Sequence, residues 1–256
     1  MKQYNGEKYI VSFTSFGKRL SSVCKMIFAM QKQTYKNFHL VLTLYKDDVK
    51  YIDENLQTLL DNNVLELIIA EEDYGPHLKY YYTMKKYYDK PIITVDDDRM
   101  YLCDTVEKLV NKYESLDYKS IICNCGIKIQ KRNNKIIPYP YWCSFRLNPN
   151  EQSIFAMAEG FAGILYPPKC FSNLDTEEYR NGILECKYDD DLYLKVQGIK
   201  NKIPVTQTNF RLGWEETDNI KEMMPYNLHN NQNKGNLNRI NLCYKFEKEL
   251  LEAWNI

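Results

Sequence analysis

The feature that most constrains the fold is a regular alternation of short apolar segments with amphipathic ones in the first part of the chain. Four apolar segments read as strands because they are short and bounded by polar turns: residues 9–13, 38–44, 65–70 and 91–95. Helices are predicted between them, at 18–33, at about 48–62 and from Pro76 to about Tyr88. This alternation favours a three-layer α/β/α fold with a mostly parallel sheet.

The pattern changes in the second part of the chain. We predict a hairpin around the polar turn 132–134, a helix at 189–199 that ends at Gly198, a polar loop at 215–238 and a closing helix at 239–254. There is no internal repeat and no clear linker. The sequence therefore predicts one domain, 1–256, in which the halves 1–101 and 102–256 contribute differently.

Charge and cysteine content limit the possible partners. Lys and Arg together number 34, as do Asp and Glu, so the balanced charge gives no reason to expect nucleic acid. The 8 cysteines form no CxxC pair, which argues against a zinc site. No run of about 18 apolar residues occurs, and the start does not resemble a signal peptide, so we expect no transmembrane segment. A cytoplasmic protein is the resulting prediction.

The run Asp96-Asp97-Asp98 directly follows the fourth predicted strand. Ligands bind beyond the carboxyl ends of strands in an open parallel sheet. Three adjacent carboxylates repel one another, and Mg²⁺ or Mn²⁺ would relieve that repulsion and could bridge a diphosphate. The alternative is a solvated acidic turn.

A second acidic run, Asp189-Asp190-Asp191, opens a predicted helix. Aspartates favour helix amino termini through capping and through the helix dipole, so some of the three could be structural. The functional interpretation is that one carboxylate is a general base for an acceptor hydroxyl.

Four further residues are weaker candidates. Gly160 and Gly163 could allow a ligand to approach the backbone closely, although glycines also serve turns. Lys79 could reach a phosphate, but a surface lysine is the more common case. His229 could be a third metal ligand or simply an exposed histidine.

Five segments taken in order resemble bacterial glycosyltransferases of the GT-A fold, and most closely the inverting, family-2-like enzymes of surface-polysaccharide clusters. These segments span roughly residues 9–200: VSFTSFGKR at 11–19, DYGPHLKY at 73–80, ITVDDDRMY at 93–101, EGFAGILYPP at 159–168 and DDLYLK at 190–195. The resemblance implies a Rossmann-like sheet, with a nucleotide-sugar-binding half at about 1–101 and an acceptor-binding half at about 102–256.

The resemblance also implies roles for individual residues. Asp96 and Asp98 match the DxD acids, with Asp98 the better metal ligand, and His229 loosely matches a metal-binding histidine. Asp191, with Asp190 beside it, matches the catalytic acidic pair, although the extra Asp189 leaves the register ambiguous by one residue. Residues expected beside the donor are Phe13, Thr14, Ser15, Arg19, Asp73, Lys79, Asp96, Asp97, Gly160 and Gly163.

The family pattern is not matched everywhere. The acidic pair is usually followed by a hydrophobic residue and Trp, whereas Leu192-Tyr193 stands here. Arg99 occupies a position after the DxD where an apolar residue is common.

The predicted function is therefore metal-dependent transfer of a sugar, with inversion, from a nucleotide-sugar donor such as a UDP-sugar to a hydroxyl acceptor. The acceptor could be a glycan, a lipid-linked molecule or a protein, and a lipid-linked one would require peripheral contact with the inner face of the membrane. Two alternatives remain open. One is a nucleotidyltransferase, although no GxxxxGK[ST] loop follows the first strand. The other is a non-catalytic sugar- or nucleotide-binding module.

Overall fold

The structure is a computed structural model that describes residues 5–117, 119–209 and 232–256, with side chains from residue 237 onwards in the last range. Its centre is an eight-stranded sheet in the order β3-β2-β1-β4-β11-β5-β12-β9. The strands of this sheet are β1 (Tyr9–Thr14), β2 (Phe38–Tyr45), β3 (Glu66–Ala70), β4 (Ile92–Thr94), β5 (Ile121–Cys123), β9 (Gln152–Ser153), β11 (Ile164–Tyr166) and β12 (Val205–Gln207).

Most neighbouring strands in this sheet are parallel. Strands β3, β2, β1 and β4 run in one direction, and β5 and β12 share it. Strand β11 lies antiparallel between β4 and β5, and β9 is antiparallel to β12 at the edge. Two small ribbons lie outside the main sheet: β6 (Gly126–Lys128) with β10 (Ala156–Ala158), and β7 (Lys131–Arg132) with β8 (Lys135–Ile136).

Helices cover both faces of the sheet, which confirms the three-layer α/β/α prediction. Their bounds are α1 (Val23–Gln31), α2 (Glu54–Asp61), α3 (Tyr81–Lys86), α4 (Thr105–Glu114), α5 (Glu177–Glu185), α6 (Asp190–Lys200), α7 (Gln232–Lys245) and α8 (Glu247–Leu251). Buried side chains of α1, α2 and α4 form one apolar core, and those of α3, α5, α6 and the carboxyl-terminal helices form part of the other. No helix within the described ranges is long and apolar enough to cross a bilayer.

Several connecting segments are 3₁₀ turns rather than continuous α-helix. Residues Gly17–Ser22, Lys46–Tyr51, Gly75–Lys79, Tyr139–Ser144, Gly160–Ala162 and Glu252–Asn255 form such turns. The helix predicted from Pro76 to Tyr88 is therefore divided at Tyr80. The hairpin prediction is confirmed, since Asn133 and Asn134 both adopt positive φ, the conformation that a tight hairpin turn requires.

Two boundary predictions were wrong. Helix α6 does not end at Gly198 but continues to Lys200, and Lys202 then adopts a φ of 55°. Gly198 does not end the helix because its backbone is helical like that of its neighbours, and there is room for a side chain there, since a Cβ would meet Ile121 only at 3.7 Å. Of the polar loop predicted at 215–238, residues 232–238 are helical, because the closing helix begins before its apolar pattern does, and the rest of that loop lies outside the described residues.

Candidate functional site

The sheet topology brings the EGFAG segment to the first acidic run. Strand β11 is antiparallel to β4, with Ile164 opposite Thr94. The residues that precede β11 therefore lie beside those that follow β4. The turn Gly160–Ala162 thus stands at the carboxyl end of the parallel strands, next to Asp96.

Lys79 joins the two acidic runs. Its Nζ lies 2.8 Å from Asp96 Oδ1 and 2.8 Å from Asp190 Oδ2, and its side chain is only 6% exposed. Burial opposes the charge, but the carboxylates of Asp190 and Asp96 raise the pKa of Lys79 well above its usual value. The alternative of a solvated surface lysine is therefore wrong, and Lys79 is a buried cation between two anionic clusters.

Arg19 balances the rest of the first acidic run. Its guanidinium donates to both carboxylate oxygens of Asp97 and lies 3.1 Å from Asp98 Oδ2. Arg99 approaches Asp98 at 3.7 Å. Even so, burial and the charges of Asp96 and Asp97 raise the pKa of Asp98. Repulsion among these carboxylates is thus only partly relieved by the cations around them.

The first run can supply two ligands to a divalent cation. The side chains of Asp96 and Asp98 are 28% and 21% exposed, so each has oxygens that a ligand can approach. Within the part of the chain that the structure describes, no group of three or more His, Cys, Asp or Glu residues is arranged to hold a metal. Two carboxylates fit Mg²⁺ or Mn²⁺ when substrate phosphates and water complete the coordination. The predicted third ligand, His229, lies outside the described residues.

Asp189 has a structural role at the start of α6. Its Oδ1 accepts the backbone N–H of Leu192 at 3.2 Å, which caps the helix. The Arg239 guanidinium donates to both of its oxygens at 2.5 Å. The capping alternative is therefore correct for the first member of the second run.

Asp190 and Asp191 face different partners. Asp190 pairs with Lys79, whereas Asp191 Oδ1 accepts the backbone N–H of Gly160 at 3.0 Å. A Cβ atom at position 160 would stand 2.9 Å from Asp191 Oδ1 and 3.1 Å from Lys79 Nζ. Any side chain at position 160 would therefore have to displace the Asp191 carboxylate or the Lys79 ammonium group.

The two adjacent carboxylates of α6 are driven to opposite protonation behaviour. Burial and the charge of Asp190 raise the pKa of Asp191 to about 8, although Arg239 and Lys79 oppose that rise. Burial acts in the same upward direction on Asp190, but Lys79 and then His77 lower its pKa overall. A pair whose pKa values are pushed apart in this way can divide ion-pairing and proton transfer between its members.

The three residues predicted beside the donor at the end of β1 have different surroundings. The side chain of Phe13 lies fully buried in the apolar core, so that side chain is not placed to contact a nucleotide. Thr14 donates its hydroxyl to the Thr43 carbonyl at 2.7 Å. The Ser15 hydroxyl is buried and has no hydrogen-bond partner among the described residues. It is therefore available to form a hydrogen bond with a ligand.

Asp73 and Gly163 make contacts with residues outside the two acidic runs. Asp73 pairs with Lys187 at 2.7 Å and accepts the Gly75 N–H, and these contacts lower its pKa although burial opposes them. Gly163 has a φ of 90°, and a Cβ there would stand 3.4 Å from Leu109 Cδ1. Glycine at 163 is thus explained by the backbone conformation.

Two residues that sequence reasoning missed border the site. Arg239 lies in α7, far along the chain from the acidic runs, and no motif spacing identifies it. The Tyr101 hydroxyl accepts the Asp96 N–H at 2.7 Å, and so fixes the backbone where the first acidic run begins. Tyr101 is the last residue of the segment ITVDDDRMY, and its place in that segment is the only feature of the sequence that points to it.

Neither a scan against protein-family models nor a search of curated protein sequences finds a match. Among solved structures, the chain is similar to residues 1–349 of S. aureus TarS in complex with UDP. The TM-score is 0.51 and the identity 14%, over 80% of this chain and 58% of that chain. The fold is shared. This chain spans little more than half the length of that TarS structure.

Two other solved structures are also similar. A second crystal structure of TarS 1–349 has a TM-score of 0.52 and 13% identity, over 80% of this chain and 58% of that one. The mannosyltransferase PcManGT from Pyrobaculum calidifontis, in complex with GDP-Man and Mn²⁺, has a TM-score of 0.47 and 11% identity, over 80% of this chain and 57% of that one. At 13% and 14% identity, the similarity to the two TarS structures establishes a shared fold and nothing more.

Proposed function

We propose that this chain is a glycosyltransferase that moves a sugar from a nucleotide-sugar donor to a hydroxyl acceptor, with a divalent metal ion and with inversion. The observation that carries the proposal is Lys79, which links the acidic run after β4 to the acidic run at the start of α6. A site of this kind places groups for binding a diphosphate beside a carboxylate that can accept a proton.

The donor side of the proposed site is built from the first acidic run and its cations. Asp96 and Asp98 would hold the Mg²⁺ or Mn²⁺ ion, with His229 a further candidate outside the described residues. The ion would neutralise charge on the departing nucleoside diphosphate. Arg19 and Lys79 are the cations that could bind phosphate oxygens if they exchanged a carboxylate partner for the donor. The UDP bound to TarS supports a uridine nucleotide as the donor's leaving group.

Asp191 is the proposed general base. Asp189 is committed to the helix cap and to Arg239, and Asp190 to Lys79. Asp191 Oδ1 is held by Gly160, which leaves Oδ2 to take the proton from the acceptor hydroxyl. A pKa of about 8 suits a base that works near neutral pH. Attack by that hydroxyl on the anomeric carbon in a single displacement would invert the configuration.

We extend the proposal to a single catalytic domain over 1–256 of the family-2-like, polysaccharide-cluster type. Strands from both halves of the chain form the central sheet, which supports one domain. The first half would bind the nucleotide-sugar. The second half would bind a glycan, lipid-linked or protein hydroxyl.

Product analysis tests the proposal. The protein is incubated with a panel of UDP- and GDP-sugars and acceptors, with and without Mn²⁺, and released nucleotides are separated by chromatography. Sugar transfer releases nucleoside diphosphate, whereas nucleotidyl transfer would release pyrophosphate. Metal-dependent release of nucleoside diphosphate is the expected result. Binding of a donor without turnover in any combination would favour the non-catalytic module.

A matched pair of variants locates the activity. Asp98→Asn should abolish metal-dependent donor binding and transfer, because it removes one of the two proposed carboxylate ligands. Asp175→Asn is the control, since Asp175 is a 79% exposed carboxylate that pairs only with Lys85 among the salt bridges of the described residues. Full transfer by Asp98→Asn would remove the metal-binding role from this residue.

A further inference from the structure

Arg239 is the cation that α7 brings to the start of α6. Its guanidinium binds Asp189 through two hydrogen bonds of 2.5 Å and lies 3.6 Å from Asp191 Oδ2. Its side chain is 19% exposed, and that of Asp189 is 3% exposed. One guanidinium therefore faces two members of the same acidic run, Asp189 and Asp191, whereas Lys79 pairs with the third.

The orientation of Arg239 is fixed by an aromatic ring. The guanidinium carbon lies 4.7 Å from the centre of the Tyr139 ring. A cation stacked on a ring while it forms a two-pronged contact with a carboxylate has little freedom to move. Tyr139 in turn donates its hydroxyl to Glu159, the residue that precedes Gly160, at 3.4 Å. Arg239 is thus connected through Tyr139 to Glu159, whose neighbour Gly160 donates its N–H to Asp191.

The two oxygens of Asp191 have different surroundings as a result. The Gly160 N–H holds Oδ1, and Arg239 faces Oδ2 without a hydrogen bond. A guanidinium at 3.6 Å attracts this oxygen and limits its rotation, but does not occupy it. The oxygen stays able to accept a proton from a hydroxyl that enters between them.

We propose that Arg239 is a positioning residue, which orients Asp191 for proton transfer by binding Asp189 and facing the free oxygen of Asp191. The proposal deepens the proposed function and rests on it. Without Arg239, the buried Asp189 carboxylate would lack its counter-ion and would repel Asp191 from two residues away. The base would then lose its orientation and hold its proton more tightly.

Every charged group around Asp191 enters the expected pH behaviour. Asp189 and Asp190 lie on its own helix and disfavour its ionised form, whereas Arg239 and Lys79 favour it. The phenol of Tyr166 on β11 also faces this cluster and remains protonated, because burial and then Asp191 raise its pKa well above the usual value. Removing Arg239 takes away a cation that favours the ionised base.

The test compares Arg239→Gln, Arg239→Lys and the double variant Asp189→Asn/Arg239→Gln. The first should lower kcat by about 10- to 100-fold through misplacement of the base, with little change in the KM for the donor, and should move the acidic limb of the pH–rate profile to higher pH. The double variant should return that limb towards its original position, because it removes the unpaired carboxylate together with the cation. Arg239→Lys keeps the charge but not the two-pronged contact, and should be intermediate.

Lys245→Gln is the matched control on the same helix. Lys245 pairs with Glu185 of α5 at 3.1 Å, outside the site. This variant removes a cation and its exposed ion pair from the same helix, and should leave the pH–rate profile unchanged. A profile for Arg239→Gln that coincides with the wild-type profile would overturn the proposal, as would a double variant that behaves like the single one.

A measurement that needs no turnover separates this proposal from the proposed function. The carboxyl ¹³C signal of Asp191, assigned with Asp191→Asn, is titrated by NMR in the wild type, Arg239→Gln and the double variant. The pKa of Asp191 should rise in the single variant and fall back in the double one. If the wild type transfers no sugar but this pattern is observed, the proposed function fails and the electrostatic contact stands. If sugar is transferred and the pattern is absent, the positioning role fails. Should Arg239→Gln not fold, Arg239→Lys carries both comparisons.

Discussion

Two carboxylates at opposite ends of the strands, one buried and one partly exposed, behave in opposite ways. Glu66, where β3 begins, receives hydrogen bonds from His39 at 2.8 Å, Lys86 at 2.8 Å and Tyr87 at 2.6 Å. Although burial acts in the opposite direction, these donors lower the pKa of Glu66 to about 2. Asp191, beyond the carboxyl ends of the strands, has a pKa of about 8.

Burial acts upward on the pKa of both carboxylates, so the difference teaches that their partners decide whether burial prevails, as at Asp191, or is outweighed, as at Glu66. Glu66 has three donors for one negative charge. Asp191 has one backbone N–H and shares its cations with other carboxylates. A carboxylate with too few donors binds its proton more tightly and can take one from a substrate. The charge of Glu66, at the amino ends of the strands, is thus balanced by its donors, whereas the charge of Asp191, beyond the carboxyl ends, is not.

The largest expected effect comes from removing the under-satisfied carboxylate. Asp191→Asn should lower kcat by about 10²- to 10⁴-fold, the range that a general base contributes. Donor binding should be little changed, because the proposed donor contacts are the first acidic run and the cations Arg19 and Lys79, all of which the variant retains. Steady-state kinetics and donor titration by calorimetry measure both. Near-normal kcat in this variant would assign the base elsewhere.

Crowding the same carboxylate should have a smaller effect. In Gly160→Ala, the new methyl group would push against Asp191 Oδ1 and Lys79 Nζ, at 2.9 and 3.1 Å. We expect a fall in kcat of about 10- to 100-fold, as a misplaced catalytic group costs. Gly198→Ala is the control, since its Cβ would meet neighbours only at 3.7 Å and should leave the rate unchanged. Equal activity in the two variants would contradict the close contact.

The pH dependence should show the same contrast. The base must be ionised to act, and the pKa of Asp191 is raised to about 8. The value of kcat/KM should therefore rise with pH, by about tenfold per unit below that pKa, and level off above it. A profile of kcat/KM recorded from about pH 5 to about pH 9 measures this rise. A rate that is flat across neutral pH would show that Asp191 is already ionised.

The satisfied carboxylate should affect stability and not rate. Because the folded state lowers the pKa of Glu66 from 4.5 to about 2, its stabilisation is present above the unfolded value and is lost as the pH falls towards 2. Glu66→Gln should reduce the free energy of unfolding at neutral pH by about 2 kcal/mol and weaken the acid dependence. Urea unfolding at several pH values tests this, and an altered kcat would break the contrast between the two carboxylates.

The acidic run beyond the carboxyl ends of the strands could be predicted from the sequence, because it directly follows a strand in the chain. Strand ends carry the acidic run after β4, and antiparallel β11 brings Gly160 beside it. Arg239 could not be predicted, since its contact with Asp189 depends on how the closing helix packs. Nor could the burial of Lys79, because a lysine reads as a surface residue until two acids are known to surround it.

The Glu66 network was missed for a related reason. His39 and Glu66 stand near the starts of two strands, where polar residues are common. Their pairing depends on the register of β2 with β3, in which Val41 lies opposite Glu66. Periodicity defines strands, but the register between them is a tertiary property.

Lys79 makes the two acidic runs thermodynamically dependent on each other. One ammonium group pairs with both Asp96 and Asp190. A ligand that binds Asp96 would therefore change how strongly Lys79 stabilises the Asp190 carboxylate. Such coupling is reciprocal, because a change at one site that alters affinity at the other must be matched by an equal effect in return. A ligand on the nucleotide side and a proton on the acceptor side would therefore sense one another through a single side chain.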